Sequence, residues 1–155
     1  MDHSTDNAAA PINAARKHPG SCHCGAVRFE VEIDANSGTQ CNCSICTKLG
    51  LLGGIVKPDA LALVSGSESL SEYAWGSKNG ARFFCKHCGV HCFARGHLDM
   101  LGGDYVSVNL HSLDDVDPRD VEVIHWDGRH NNWQAGPRST RWPLVTPAPS
   151  ARVET

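Results

Sequence analysis

Long hydrophobic runs are missing from this 155-residue sequence, and no stretch approaches the roughly 20 apolar residues of a membrane span. The opening Met1-Asp2-His3-Ser4-Thr5-Asp6-Asn7 has neither a positive region nor an apolar run of signal-peptide length, so a cytoplasmic protein is expected. Basic excess is also missing. Fourteen Lys and Arg stand against 17 Asp and Glu, a net charge of -3, which gives no overall attraction to nucleic acid or to an anionic membrane. No ten-residue amphipathic pattern marks a long helix. The glycine pairs Gly53-Gly54 and Gly102-Gly103 lack the spacing of a phosphate-binding fingerprint and read as turns. Aromatic residues make up only 6% of the chain, so Trp75, Trp126 and Trp133 read first as core and second as pocket lining.

What is present reads as short strands. Val27, Phe29, Val31 and Ile33 alternate with Arg28, Glu30 and Glu32, the period-two pattern of a strand with one buried face. Further strands are expected at Ile55-Val56, Leu61 to Val64, Arg82 to Phe84, Tyr105 to Leu110 and Val121 to Ile124. Ser65-Gly66, Lys78-Asn79-Gly80, Gly102-Gly103 and Asp117-Pro118 supply turns. One short helical turn fits Ser44 to Leu49, with Ser44 as its cap. Residues 1–17, rich in Ala and Asn, read as a flexible tail. Residues 144–155, broken by Pro147 and Pro149, read as another, leaving a mainly β domain over 18–143.

Seven of the eight cysteines fall in three clusters: Cys22-His23-Cys24-Gly25, Cys41-Asn42-Cys43-Ser44-Ile45-Cys46 and Cys85-Lys86-His87-Cys88-Gly89. In a reducing compartment such spacings favour metal over disulfides. Cys22 and Cys24, two apart on a strand, would project to one side, and Cys85 and Cys88 with Gly89 form a tight knuckle; each pair supplies half a tetrahedron. The two pairs together would close one four-sulfur zinc site, stapling the domain's start to its middle. The triplet can hold a second ion alone and leave its fourth position vacant, which suggests an enzyme. The competing reading closes that position with Cys92, or with His23, His87, His91 or His97, and makes the second site structural. A redox dithiol is disfavoured because no βαβ pattern surrounds the Cys-x-x-Cys.

Three segments carry a family resemblance: Gly20 to Phe29 around Cys22-His23-Cys24-Gly25, Cys41 to Lys48, and Arg82 to His91 around Cys85-Lys86-His87-Cys88-Gly89. They resemble the glutathione-dependent formaldehyde-activating enzyme family, which also includes centromere protein V. Asp127-Gly128-Arg129-His130-Asn131-Asn132-Trp133-Gln134-Ala135-Gly136-Pro137-Arg138 resembles the closing motif of its microbial members. The resemblance implies an Mss4-like fold of coiled antiparallel sheets with two zinc ions. It also implies that Cys22, Cys24, Cys85 and Cys88 bind a structural zinc while Cys41, Cys43 and Cys46 bind a catalytic one. Cys92 lies outside the family's motif.

Three thiolates around a divalent zinc give a net charge of about -1, a weaker Lewis acid than a zinc held by three histidines. Such a centre suits the binding of a thiol better than the ionisation of water. That fits the reaction the resemblance implies, a carbon-sulfur lyase chemistry in which glutathione, the co-substrate, adds to formaldehyde or another small electrophile, or the reverse cleavage. In the opposite arrangement the metal would polarise the aldehyde oxygen. Cations that could orient the carboxylates of glutathione are Lys48, Arg82, Arg129 and Arg138. His91 and His130 are candidates for proton transfer. Two alternatives stand beside this reading: a non-catalytic zinc module for protein or nucleic acid, and an enzyme on the same scaffold with a different zinc-dependent reaction.

Overall fold

The alternating strand expected around Phe29 is the spine of the smaller of two sheets. In the computed structural model, which describes residues 15–77 and 79–144, the order along the chain begins β1 (Arg16–Ser21), β2 (Arg28–Ile33), β3 (Ser37–Cys41) and α1 (Ser44–Leu49). It continues with β4 (Gly53–Val56), β5 (Leu61–Ser65), β6 (Leu70–Tyr73), β7 (Ala81–Cys85), β8 (His91–Leu98), β9 (Gly103–Asn109) and β10 (Glu122–Trp126). Most of both expected tails, 1–14 and 145–155, lies outside the described residues, as does Lys78 of the expected turn. Arg16 and Lys17, assigned by the sequence to the first tail, instead pair with Ile33 and Glu32 in β1.

The three-stranded sheet has the order β1-β2-β5 and the seven-stranded sheet the order β10-β3-β4-β9-β8-β7-β6. The sheets are antiparallel as expected, with one parallel pair, β10 with β3, where Trp126 lies opposite Cys41. The fold is mainly β, and α1 is the single α-helix among the described residues. Its bounds are those expected, but the capping residue is Cys43, with no side-chain cap bond.

The buried face of β2 (Phe29, Val31, Ile33) meets Phe93, Val106 and Val108 of the larger sheet, and Leu110 just past β9, across one core. Phe29 joins the two sheets: its ring stands edge-on to Phe93 at 5.8 Å, and Phe93 stacks on Phe83 at 5.4 Å. Opposite Phe29 in the ladder is Gly20, where an added Cβ would land on the Phe29 ring, so the glycine leaves room for the aromatic to lie across the strand. Pro19 beside it is tolerated because β1 is an edge strand.

Removing the ring tests this keystone. Phe29→Ala should destabilise the metal-loaded protein by about 3–5 kcal/mol, read from the shift in its urea unfolding midpoint.

Candidate metal centres and cavity

The two cysteine pairs occupy matching loops. Cys22 and Cys24 lie in the turn between β1 and β2, not on a strand as the spacing suggested, and Cys85 ends β7 ahead of the turn that carries Cys88. In each loop the first cysteine closes a bond to the residue five further on: Cys22 N–H donates to Val27 O at 3.1 Å and Cys85 N–H to Val90 O at 3.0 Å. Each has a glycine directly after its second cysteine, Gly25 at φ 81° and Gly89 at φ 78°, in the left-handed region that other residues avoid. The tight turns aim amides at sulfur, Val27 N–H at Cys22 Sγ (3.3 Å) and His87 N–H at Cys85 Sγ (3.4 Å).

All four sulfurs lie within 4.8 Å of one another. Cys22 Sγ is 3.6 Å from Cys24 Sγ, which is 3.7 Å from Cys85 Sγ. A disulfide needs about 2 Å. Four sulfurs bonded tetrahedrally at about 2.3 Å stand roughly 3.8 Å apart, so the donor set and its spacing fit zinc. Backbone amides of Cys24 and Val90 pull the Cys88 thiol down to about 6, toward the thiolate that a metal requires.

Cys92 belongs beside this cluster. A bulge in the β7–β8 ladder pairs Phe83 with Phe93 and Phe84 with His91, leaving Cys92 as the extra residue. It is fully buried and its Sγ donates to Val90 O at 3.6 Å. Burial, then the charges of Cys22, Cys85, Cys88 and Cys24, pushes its thiol up to about 12. Among the described residues, no fourth Cys, His, Asp or Glu gathers with Cys41, Cys43 and Cys46.

That triplet sits where β3 runs into α1: Cys41 ends the strand, Cys43 caps the helix and Cys46 lies in its first turn. Its three sulfurs are also within 4.8 Å of one another. Mutual crowding raises the Cys41 thiol, chiefly through Cys43, and the Cys46 thiol, chiefly through Cys41 and then Cys43. A divalent cation relieves that crowding, so this donor set too fits a metal. Arg82 Nη2 donates to Cys46 Sγ at 3.6 Å and offsets the surplus negative charge of three thiolates.

The loop after β10 clamps the triplet from the other side. Asp127, buried, accepts from Asn42 Nδ2 at 2.8 Å and from Asn132 Nδ2 at 3.3 Å, and lies 2.6 Å from His130 Nδ1. Burial alone would raise its carboxyl, yet these hydrogen bonds hold it below the usual carboxylate range. Arg129 completes the clamp, its backbone N–H on Asn42 Oδ1 at 2.9 Å and its Nε on Asn42 O at 2.8 Å. A Cβ at Gly128 would fall on Cys41 Sγ and the Trp133 ring.

The triplet opens on a cavity of about 490 Å³, whose lining includes Arg82, Trp75, Trp126 and Trp133. Of the other cations expected to orient a substrate, none lines it. Lys48 is exposed on α1, Arg129 and His130 are engaged with Asn42 and Asp127, and Arg138 stacks on Trp142 at 3.6 Å while donating to Thr140 O and Arg141 O. His91 is buried beside Arg82 instead of lining the cavity, and burial, then Arg82, pushes it down to about 4. Sequence reasoning assigned no role to Asp127, Asn42, Arg95 or Tyr105. Asp127 and Asn42 lay within the quoted motifs, but nothing in their spacing tied residues 85 apart.

The geometry defines a class: a mainly β protein with a closed four-sulfur site and an open three-sulfur site beside a cavity. The profile of the family described as glutathione-dependent formaldehyde-activating enzyme matches residues 17–126, and the chain belongs to that family. It is 35% identical over 99 residues to a Penicillium rubens protein named provisionally for that activity, covering 57% of this chain and 50% of the relative. A Halomonas elongata protein of the same name is 34% identical over 115 residues, 68% of this chain and 71% of the relative. The chain thus spans about half the length of the fungal relative. A crystal structure of a Rhodobacter sphaeroides protein superposes with a TM-score of 0.59 at 33% identity, over 66% of this chain and 93% of the other.

The two clusters should respond differently to loss of one sulfur. Cys43→Ser should lower the metal content per chain while far-ultraviolet circular dichroism stays native, whereas Cys88→Ser should unfold or precipitate the protein. Gly128→Ala should mimic Cys43→Ser in metal analysis, because the methyl displaces Cys41.

Proposed function

We propose that the chain is a zinc-dependent carbon-sulfur lyase that joins the thiol of glutathione to formaldehyde or another small electrophile, or cleaves the adduct. The observation that carries this reading is the three-sulfur cluster opening on a cavity, with Cys92 turned toward the other site. Cys22, Cys24, Cys85 and Cys88 hold a structural zinc, and Cys41, Cys43 and Cys46 hold the catalytic one, two ions per chain within a catalytic unit spanning 18–143. Eight free cysteines suit a reducing compartment, the cytoplasm. The partners are a small thiol and an electrophile, with no role for nucleic acid at a net charge of -3.

Cys41, Cys43 and Cys46 would hold the zinc, which when bound would make an incoming thiol easier to deprotonate. The reaction forms one carbon-sulfur bond. The π pair of the carbonyl moves to oxygen, and that oxygen takes up the proton the thiol gave away. Arg82 serves this step. Its Nη2 is committed to Cys46, while Nη1 is buried without a partner and can donate to the oxygen as it gains charge. Tyr105, also on the cavity, has its phenol raised by burial, so it stays protonated and able to donate. Asp127 and Arg129 keep the cysteine loop in place, so the substrate meets a preorganised centre.

Arg82→Gln should lower kcat/KM for adduct formation by about 10²- to 10³-fold with both zinc ions retained. The measurement is nuclear magnetic resonance of zinc-loaded protein with glutathione and a panel of aldehydes. Turnover by the wild type no faster than the spontaneous reaction rejects the proposed activity.

A further inference from the structure

The walls of the cavity differ from what its proposed substrates would require. Formaldehyde is a carbon and an oxygen, whereas a cavity of about 490 Å³ is in the range that holds much larger ligands. Glutathione carries two carboxylates and an ammonium, yet no Asp, Glu or Lys lines the cavity among the described residues. Its two cations are Arg82, which holds Cys46 through Nη2 and keeps Nη1 for the reacting oxygen, and Arg95, whose guanidinium lies 5.7 Å from the Phe93 ring. An ammonium entering this space would find no carboxylate to pair with.

What it does offer is apolar. The end of β8 contributes Leu98, the turn after it Met100 and Leu101, β4 contributes Ile55, and Trp75 forms another wall. Three of these side chains are left open to water, Leu98 at 44%, Met100 at 62% and Ile55 at 44% exposure. Apolar groups gathered around the mouth of a cavity mark a binding surface more often than scattered surface residues do. Trp75 is held in place by Tyr73, stacked at 5.3 Å, and by Arg82 at 5.7 Å. Met100 is flexible enough to fit an irregular hydrocarbon shape.

We propose that this wall receives an apolar carbon group carried by the electrophile, so the substrate class is the thiol adduct of an aryl or branched alkyl aldehyde. This rests on the carbon-sulfur reading of the Cys41–Cys43–Cys46 centre. The peptide arms of glutathione stay outside, beside the exposed Ser77 and Asn79, while its sulfur reaches the cysteines, and the hydrocarbon group fills the space that formaldehyde leaves empty. The bond changes are those already given: the thiol sulfur bonds to the carbonyl carbon, the thiol proton ends on oxygen, and nothing is oxidised or reduced.

The experiment has two arms, both on the zinc-loaded full chain. In the first, adduct formation from glutathione is followed with formaldehyde, acetaldehyde, 3-methylbutanal and benzaldehyde, each rate divided by its spontaneous rate to remove intrinsic reactivity. The enhancement should rise along the series and be at least about tenfold greater for benzaldehyde than for formaldehyde. In the second, benzyl alcohol, an unreactive apolar probe, should change tryptophan fluorescence saturably, ethylene glycol should not, and Met100→Glu should weaken the alcohol by at least about fivefold. An enhancement that is flat, or greatest for formaldehyde, overturns the inference and leaves the proposed reaction intact. Saturable alcohol binding that depends on Met100, without turnover of any aldehyde, upholds the apolar occupant and sinks the reaction. Absence of both overturns both.

Discussion

Thiolates repel one another, so four cysteine sulfurs within 4.8 Å of one another in this small β protein form a donor set that suits a cation. That constraint organises the chain. One pair of sulfurs lies on the turn from β1 to β2, in the three-stranded sheet, and the other on the turn from β7 to β8, in the seven-stranded sheet, with Cys24 and Cys85 61 positions apart. The clamp thus fixes one sheet against the other at the edge of a core whose centre is the Phe29–Phe93 contact. Bond energy at the rim supplements a core too small to depend on hydrocarbon alone.

The second cluster gains its function from what the first leaves free. With Cys92 drawn into a bulge beside the clamp, the triplet has three ligands and an open side toward the cavity. Its geometry depends on hydrogen bonds more than on core packing. Asn42, between Cys41 and Cys43, is gripped by Asp127 and Arg129, so the spacing of the sulfurs is set by residues that never touch the metal site's vacant face. Arg82 connects the triplet to the cavity wall: one nitrogen balances charge on Cys46, and its guanidinium lies 5.7 Å from the Trp75 ring centre.

Much of this was legible in the residues. The alternation at Phe29, Val31 and Ile33 announced a one-sided strand, and β4, β5, β7, β9 and β10 followed from short β-branched and aromatic runs. Four strands gave no such signal. β1 holds Pro19 and Gly20, β3 reads Ser-Gly-Thr-Gln-Cys, and β6 is a short edge, so their pairing comes from neighbours and not from their own propensity. β8 carries a bulge that breaks the period. Cysteine spacing divided the sulfurs into groups, and the coordinates gather the same groups. The cations near the triplet in sequence proved poor guides, because Lys48 points to solvent while Arg95, far along the chain, lines the cavity. Spacing along a chain reports ligands that share one loop; it is silent about groups that a sheet brings together.

The parallel pairing of β10 with β3 has a consequence for how the molecule comes into being. The clamp needs nothing beyond Cys88, but the grip on Asn42 comes from residues 127 and 129, joined to it across 85 and 87 positions. During synthesis the staple can close while the last third of the domain is still unmade. The site for chemistry is finished only when β10 arrives and docks. A ribosome that stops early releases a chain that holds all four clamp cysteines yet lacks the residues that lock Asn42, so the order of assembly withholds the finished triplet geometry from incomplete molecules.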